Sequence, residues 1–222
     1  MQDLEIRKFD LTPNAPIKAI IIGRRDVGKT HLTIDLLQKL NTLDENKIIC
    51  ANSDDEIKSY TENFNGANIL TGFDENIFEE TLNATYKKVI DTDSQPSSAV
   101  VFDNCFCDNT WFTDKNIKTI LLNGYDRKQS VIITMGYPLR MPPILQKQID
   151  YIFIFREKYL SNRQSIWNNY LDVLAGDVLS FEKFNELMDK LIEPHECYVF
   201  NLLTKSKKLE DIIFLYNSSN EV

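Results

Sequence analysis

Short, wholly apolar runs recur along this chain, separated by polar segments in which apolar residues return at helical spacing. "IKAIIIG", Ile17 to Gly23, is short, β-branched and closed by glycine, the pattern of a strand buried on both faces. "KIICA" from Lys47, "ANIL" from Ala67, "SAVVF" from Ser98, "SVIIT" from Ser130 and "YIFIF" from Tyr151 repeat it. Leu32, Leu36, Leu37 and Leu40 fall on one face of a helix predicted from Lys29 to about Leu40, and Ile117, Ile120, Leu121 and Tyr125 mark another. Strands that alternate with helices and carry no polar face predict an α/β fold, a mostly parallel sheet with helices on both faces.

The ends of the chain vary this theme. Leu4 to Phe9 reads as a short strand, followed by the turn-like connector "TPNAP". Towards the other end, "SFEKFNELMDKLIE" opens with a serine cap and sets Phe181, Phe184, Leu187, Met188 and Leu191 on one side of a helix. "CYVFNLL" and "DIIFLY", joined by the charged turn "TKSKKLED", are candidates to extend the sheet at an edge. No internal repeat, low-complexity tract or long linker divides the sequence, so one domain over residues 1–222 is expected. Within it, 1–16 form an N-terminal strand and connector, 16–157 the core, and 158–222 the C-terminal helices and edge strands.

Composition changes this picture little. With 222 residues and 43% apolar content the chain can bury a sizeable core. A net charge of −8 argues against a surface coated in basic residues, although a local basic stripe is compatible with an acidic whole. "MQDLEIRKFDL" lacks the apolar segment of a signal peptide, and no apolar run approaches the ~18 residues of a membrane helix. A soluble protein is therefore expected. Cys50, Cys105, Cys107 and Cys197 contain one close pair, and His31 and His195 stand alone. Neither spacing suits a structural zinc site, and reduced, mostly packed thiols are expected.

Chemistry enters at "GRRDVGKT", Gly23 to Thr30, which matches G-x-x-x-x-G-K-[ST]. Each fixed position has a physical reason. Glycines let the backbone wrap phosphate oxygens and present its N–H groups to them. The lysine reaches the terminal phosphates, the hydroxyl ligates Mg²⁺, and the following helix aims its N-terminus at the same anion. Chance produces the pattern on the order of once per hundred chains of this length. Here a buried strand precedes it and a helix follows, so the nucleotide-binding residues are read as Gly23, Arg24, Arg25, Asp26, Val27, Gly28, Lys29 and Thr30. The expected ligands are ATP and Mg²⁺.

The run "AVVFDN" ends a second buried strand in Asp103, placed where such enzymes hold magnesium, so the metal residues are read as Thr30 and Asp103. At least one strand–helix unit lies between the two strands, which suits ATPases with an extra strand between loop and acid. Many of these enzymes follow the magnesium acid with a second acid that activates the attacking water. Here that second residue is Asn104. An amide orients water but does not usefully take its proton, and loss of a general base costs about 10²–10⁴-fold in rate.

The stretches "NIKTILLNGYDRKQSVIITMGYPLRMPPILQKQIDYIFIFRE", "SNRQSIWNNY" and "ECYVFNLLTKSKKLEDIIFLY" resemble the DNA-packaging ATPases of large nucleocytoplasmic DNA viruses, in the FtsK–HerA class of P-loop motors. "FDNCFCDNTWFTDKNI" is similar to that family's acid strand and the loop after it. The likeness runs from about Ala15 to Tyr216 and is densest from Ser98 to Arg163. It implies the three-layer P-loop NTPase fold of the additional-strand type. It further implies an ATPase that acts as a homo-oligomeric ring, moving double-stranded viral DNA into a capsid alongside capsid or portal components. The site of action would then be the host cytoplasm, in a virus factory, or the virion, with no membrane insertion.

The departures from that family cluster at its reactive positions. Asn104 stands where a second acid is usual, Gly136 where a glutamine senses the γ-phosphate, and Tyr125 and Asp126 where Arg-His follows Asn-Gly. Arg140 replaces a glycine. The resemblance thus makes Asp103, Asn104 and Gly136 the catalytic positions, the last two degenerate, beside intact binding residues. Slow turnover with ATP affinity largely retained follows, and reverting Asn104→Asp with Gly136→Gln is expected to raise the rate. Asp126, Asp108, Asp54, Asp55 and Glu56 are acids, and Arg127 an arginine, that a folded site could recruit. An alternative of a different class is a catalytically weakened regulatory or structural subunit beside an active paralogue. Lys205, Lys207 and Lys208 offer a small basic cluster, and Trp111 and Phe112 are expected in the core rather than on a base.

Overall fold

The computed structural model describes residues 6–11, 16–40, 42–91, 97–172, 178–191 and 193–217. Among the described residues eight strands form two hydrogen-bonded rows, β3-β2-β4-β5 and β1-β6-β7-β8, flanked by helices. In chain order they are β1 Lys18–Ile22, β2 Lys47–Ala51, β3 Asn68–Thr71, β4 Ser98–Asp103, β5 Gln129–Met135, β6 Tyr151–Phe155, β7 Glu196–Asn201 and β8 Ile213–Asn217. Each apolar run of the sequence therefore became a strand, within a residue or two at the ends. The mixed α/β class, with a mostly parallel sheet, is the one the hydrophobic pattern indicates.

The chain resolves into two compact units. One contains the described residues of Thr30–Thr134 together with those of Leu11–Lys18. Its strands β3, β2, β4 and β5 are parallel and in register, so that Ala51, Asp103 and Thr134 are side-by-side partners. Its helices start as their sequences dictate. α1, Lys29–Lys39, buries Leu32, Leu36 and Leu37 completely. α2, Asp54–Asn63, is opened by Ser53, whose hydroxyl accepts from the Glu56 N–H while the Glu56 carboxylate accepts from the Ser53 N–H. This reciprocal cap satisfies two backbone donors, and Asp54, Asp55 and Glu56 complement the positive end of the helix. α3 spans Glu75–Asp91, and α4, Lys115–Asn123, is capped by Asp114.

An aromatic cluster fixes the acid strand from one side. Phe102 packs against Phe73, Phe78 and Phe106, with centroids 5.1–5.7 Å apart, and Phe106 stacks on Trp111 at 4.2 Å. Trp111 and Phe112 are buried, as expected for core residues. Full burial of a ring such as Phe78 or Phe102 contributes about 1.5–3 kcal/mol. Successive strand residues point to opposite faces, so the packing of Phe102 commits Asp103 to the other side.

The second unit contains Ala19–Lys29 and the described residues up to Asp10 and from Met135 onward. β1 pairs with β6 in parallel, then β6 with β7 and β7 with β8 antiparallel, so the two late apolar runs do extend the sheet at an edge. Arg7 to Phe9 runs beside β8, with Phe9 N donating to Leu215 O at 2.8 Å. Leu4 and Glu5 of the expected first strand, and Thr12–Ala15 of the connector, lie outside the described residues. α5, Pro143–Gln146, is a single turn. α6, Leu160–Ile166, continues as a π-helical turn over Trp167–Leu171. α7, Phe181–Lys190, begins at Ser180, which accepts from Lys183 N, and buries Phe184, Leu187 and Met188. Among the described residues no helix is long and apolar enough to cross a membrane.

Candidate functional site

The glycine-rich loop follows β1 directly, and its two glycines are required by contact. A Cβ at Gly23 would lie 2.8 Å from Val27 Cγ2 and 2.9 Å from Phe155 Cβ, closer than packed atoms approach. Gly28 has φ +103°, where a side chain is strained, and a Cβ there would meet His195 Nδ1 at 2.4 Å. Asp26 takes the left-handed conformation, φ 62°, that closes the turn before it. Lys29 is buried, and its ammonium donates to the Arg24 carbonyl at 3.0 Å, curling back over its own loop. The Arg24 guanidinium lies 4.9 Å from the centre of the Tyr159 ring. Arg25 and Asp26 form a 3.8 Å ion pair whose side chains are 90% and 88% exposed, so solvent screens it. His195, another left-handed residue at φ 63°, leans on Gly28, a contact that no linear motif signals. Gly136 follows β5, and the nearest atom to a Cβ built on it is Gly23 O at 4.0 Å, which leaves space for a side chain.

The acid cluster lies within the unit of Thr30–Thr134. Asp103 is completely buried at the tip of β4, and both its oxygens are occupied. Oδ2 accepts from Thr30 Oγ1 at 2.7 Å and from the Tyr60 hydroxyl at 2.8 Å. Oδ1 accepts from Thr134 Oγ1 at 2.5 Å and from Asn104 Nδ2 at 3.2 Å. Thr134 is the register partner of Asp103 on β5, which explains why their side chains meet; Ala51, the partner on β2, adds only a methyl group. Burial pushes the Asp103 carboxyl above the usual carboxylate range. The Thr134 and Thr30 hydroxyls pull it down, and the charge of Glu56 raises it again. Tyr60 is held well above the ordinary phenol value, first by burial and then by the charge of Asp103, and so remains a donor.

Asn104 turns the chain away from the strand with φ 52°, a conformation that asparagine tolerates better than most residues. Its N–H donates to Thr134 Oγ1 at 3.0 Å, and its carbonyl accepts from Asn52 Nδ2 at 2.6 Å. Its side-chain Nδ2 donates to Glu56 Oε1 at 2.8 Å. Of the recruitable acids, then, Glu56 meets the network directly. Asp54, Asp55 and Asp126 are exposed, and Asp108 caps the short helix at Thr110. Arg127 lies over the Tyr86 ring, and Tyr125 faces the Lys18 ammonium at 4.2 Å. Tyr60 and Thr134 escaped the sequence reading. Tyr60 sits on the inward face of α2, where spacing says "core" and says nothing of which strand tip it reaches.

These oxygen donors suit a hard cation. Mg²⁺ is held by one or two protein oxygens with phosphate and water completing its octahedron, and a hydroxyl beside a carboxylate is such a pair. Among the described residues no cluster of three or more His, Cys, Asp and Glu side chains suggests a self-sufficient metal cage.

Comparison with known proteins fits this architecture. No family model matches the chain. In sequence, it is 26% identical over 225 residues to an uncharacterized protein of Acanthamoeba polyphaga mimivirus, covering 96% of this chain and 77% of the relative. In structure, B204, the DNA-packaging ATPase from Sulfolobus turreted icosahedral virus, superposes with a TM-score of 0.62 at 16% identity, covering 92% of this chain and 98% of B204. The genome packaging NTPase B204 from Sulfolobus turreted icosahedral virus 2, in complex with ATP-gammaS, gives 0.59 at 15% identity, with 91% and 98% covered. The chain thus has the P-loop NTPase-like fold of viral packaging ATPases, and its sequence is similar to that of a large DNA virus protein.

Proposed function

We propose that this chain is an ATP-binding NTPase of the genome-packaging kind, working as a ring of identical subunits that moves double-stranded viral DNA into a capsid. The observation that carries the nucleotide part is the 2.7 Å bond from Thr30 to Asp103. It joins the last residue of a phosphate-loop motif to a buried strand-tip acid, and this is the donor pair that magnesium nucleotide requires. Backbone N–H groups of Gly23–Thr30 surround the phosphates, and Lys29 leaves the Arg24 carbonyl to neutralise the terminal ones. α1 has no acid in its first turn to oppose an anion at its N-terminus. Thr30 and Asp103 would hold Mg²⁺, which would supply positive charge against the phosphates. The fold shared with packaging ATPases and the likeness to a large DNA virus protein support the motor role. Capsid or portal components are the further partners, in the host cytoplasm or the virion.

A second reading has its own observation. Asn104 in place of an acid, and Gly136 with no side chain, mark a weakened catalyst that serves beside an active paralogue. ATP turnover measured with and without double-stranded DNA separates the two. The motor reading expects DNA to stimulate turnover, and Lys29→Ala to abolish the stimulated rate while weakening ATP by about ten- to a hundredfold. Retained ATP binding with turnover unmoved by DNA leaves the subunit reading. Unchanged affinity in the Lys29→Ala protein would falsify nucleotide binding by this loop.

A further inference from the structure

Asn104 is engaged on three sides. Its backbone N–H and carbonyl are bonded to Thr134 and Asn52, and the two hydrogens of its amide face two carboxylates, Glu56 Oε1 at 2.8 Å and Asp103 Oδ1 at 3.2 Å. Two acceptors around one amide fix its orientation, with NH₂ toward the acids and Oδ1 away from them. Glu56 is itself held, because its Oε2 accepts from the Asn52 and Ser53 N–H groups at 3.1 Å. A carboxylate pinned at one oxygen by backbone thus presents the other to the residue that stands where the usual second acid is missing.

We propose that Glu56 is a positioning residue for ATP hydrolysis that acts through Asn104, the pair together replacing the absent acid. The inference rests on the nucleotide-binding reading above. The Glu56 charge polarises the amide through a charge-assisted hydrogen bond, which concentrates electron density on Asn104 Oδ1 and makes it a stronger acceptor. Oδ1 receives a hydrogen of the attacking water and aims the water's oxygen. That oxygen bonds to the γ-phosphorus as the bond to the β,γ-bridging oxygen breaks, and the bridging oxygen leaves with the electron pair on ADP. The water's proton passes to an oxygen of the phosphate product, so the amide never has to accept it.

The arrangement also accounts for the amide itself. An aspartate at 104 would place a third carboxylate against Glu56 and Asp103, where like charges at hydrogen-bond distance oppose one another. Restoring the usual acid alone therefore does not restore the usual chemistry. It requires the charge at 56 to be removed as well.

The test is a double-mutant cycle on the full chain. Glu56→Gln is the informative variant, because glutamine keeps the reciprocal helix cap while losing the charge. Its Nε2 then faces Asn104, which flips its amide and turns NH₂ toward the water. The expected result is a turnover number lower by about ten- to a hundredfold with ATP–Mg²⁺ affinity and thermal midpoint unchanged. Asn104→Asp alone is likewise slower than the unsubstituted chain, and Glu56→Gln with Asn104→Asp recovers the loss, so the two substitutions are strongly non-additive. The proposal is overturned by unchanged turnover in Glu56→Gln, by a loss that merely follows a fall in midpoint or affinity, or by a rise in Asn104→Asp alone. A chain that binds ATP yet turns over no faster than Lys29→Ala also overturns it while leaving nucleotide binding intact. A chain that binds no ATP overturns the reading on which both rest.

Discussion

In the loop from Gly23 to Lys29 the constraints are steric: two positions exclude any side chain, while Arg24 lies over the Tyr159 ring and Arg25 stands in solvent. Around Asp103 the constraints are polar, because one buried carboxylate is surrounded by four donors, three of them from distant segments of chain and one from the next residue. The loop is specified by neighbours in sequence and the cluster by neighbours in space. A loop of the first kind tolerates drift around its fixed points. A cluster of the second kind constrains its members jointly, as where the amide at 104 donates to the acid at 56.

The sharpest way to break this contrast is to neutralise the acid. In Asp103→Asn the amide meets hydroxyls that both donate and accept, so the network can re-form without the buried charge. ATP–Mg²⁺ is expected to bind more than about a hundredfold more weakly in titrations at fixed nucleotide, since the proposed metal ligand is lost. The ligand-free protein should lose no thermal midpoint near neutral pH. The pH dependence supports this with a definite sign. The folded state binds the Asp103 proton more tightly than the unfolded chain does, so that contribution is largest below the ordinary carboxylate value of 3.8 and is lost as pH rises through the raised folded value. Midpoints of the ligand-free protein followed upward from pH 4 should therefore fall less in Asp103→Asn than in the unsubstituted chain.

Next in size is the loop. Gly28→Ala forces a Cβ into a left-handed residue and against His195, with an expected loss of about 2 kcal/mol in denaturant unfolding. Adding His195→Ala should recover the part due to contact and leave the backbone part, which divides the steric constraint into its two sources. The smallest effect belongs to Tyr60→Phe. It removes one of two donors to Asp103 Oδ2, and about a tenfold loss of Mg²⁺ affinity at constant ATP is expected. A Tyr60→Phe protein with unaltered metal affinity would show that the hydroxyl serves packing alone.

How much of this could be read from the sequence follows the same division. The strands were legible because each is a short apolar run with polar ends, and the loop because its requirements lie within eight consecutive residues. Asp103 was legible as the acid that ends such a run. Tyr60 and Thr134 were not, because an inward tyrosine on α2 and a threonine within β5 look like ordinary packing until the strand order brings them to Asp103. Glu56 was visible as one acid among several, and its neighbours Asp54 and Asp55 had equal claims until the helix cap turned one of the three inward. His195 carried no signal at all, since its role comes from a turn far along the chain that meets Gly28.

The bond from Lys29 to the Arg24 carbonyl has a thermodynamic consequence for any ligand of this loop. Because the ammonium already has an internal acceptor, phosphate enters as a competitor and the measured affinity is a difference between two bonds. Under the proposed function the loop is therefore a rheostat: whatever strengthens the internal bond weakens nucleotide, and whatever strains it tightens nucleotide, with no atom of the ligand contact altered. Changes at Arg24 or at Tyr159, which seats the Arg24 side chain, become a means of setting occupancy at a given ATP concentration without touching the residues that hold it.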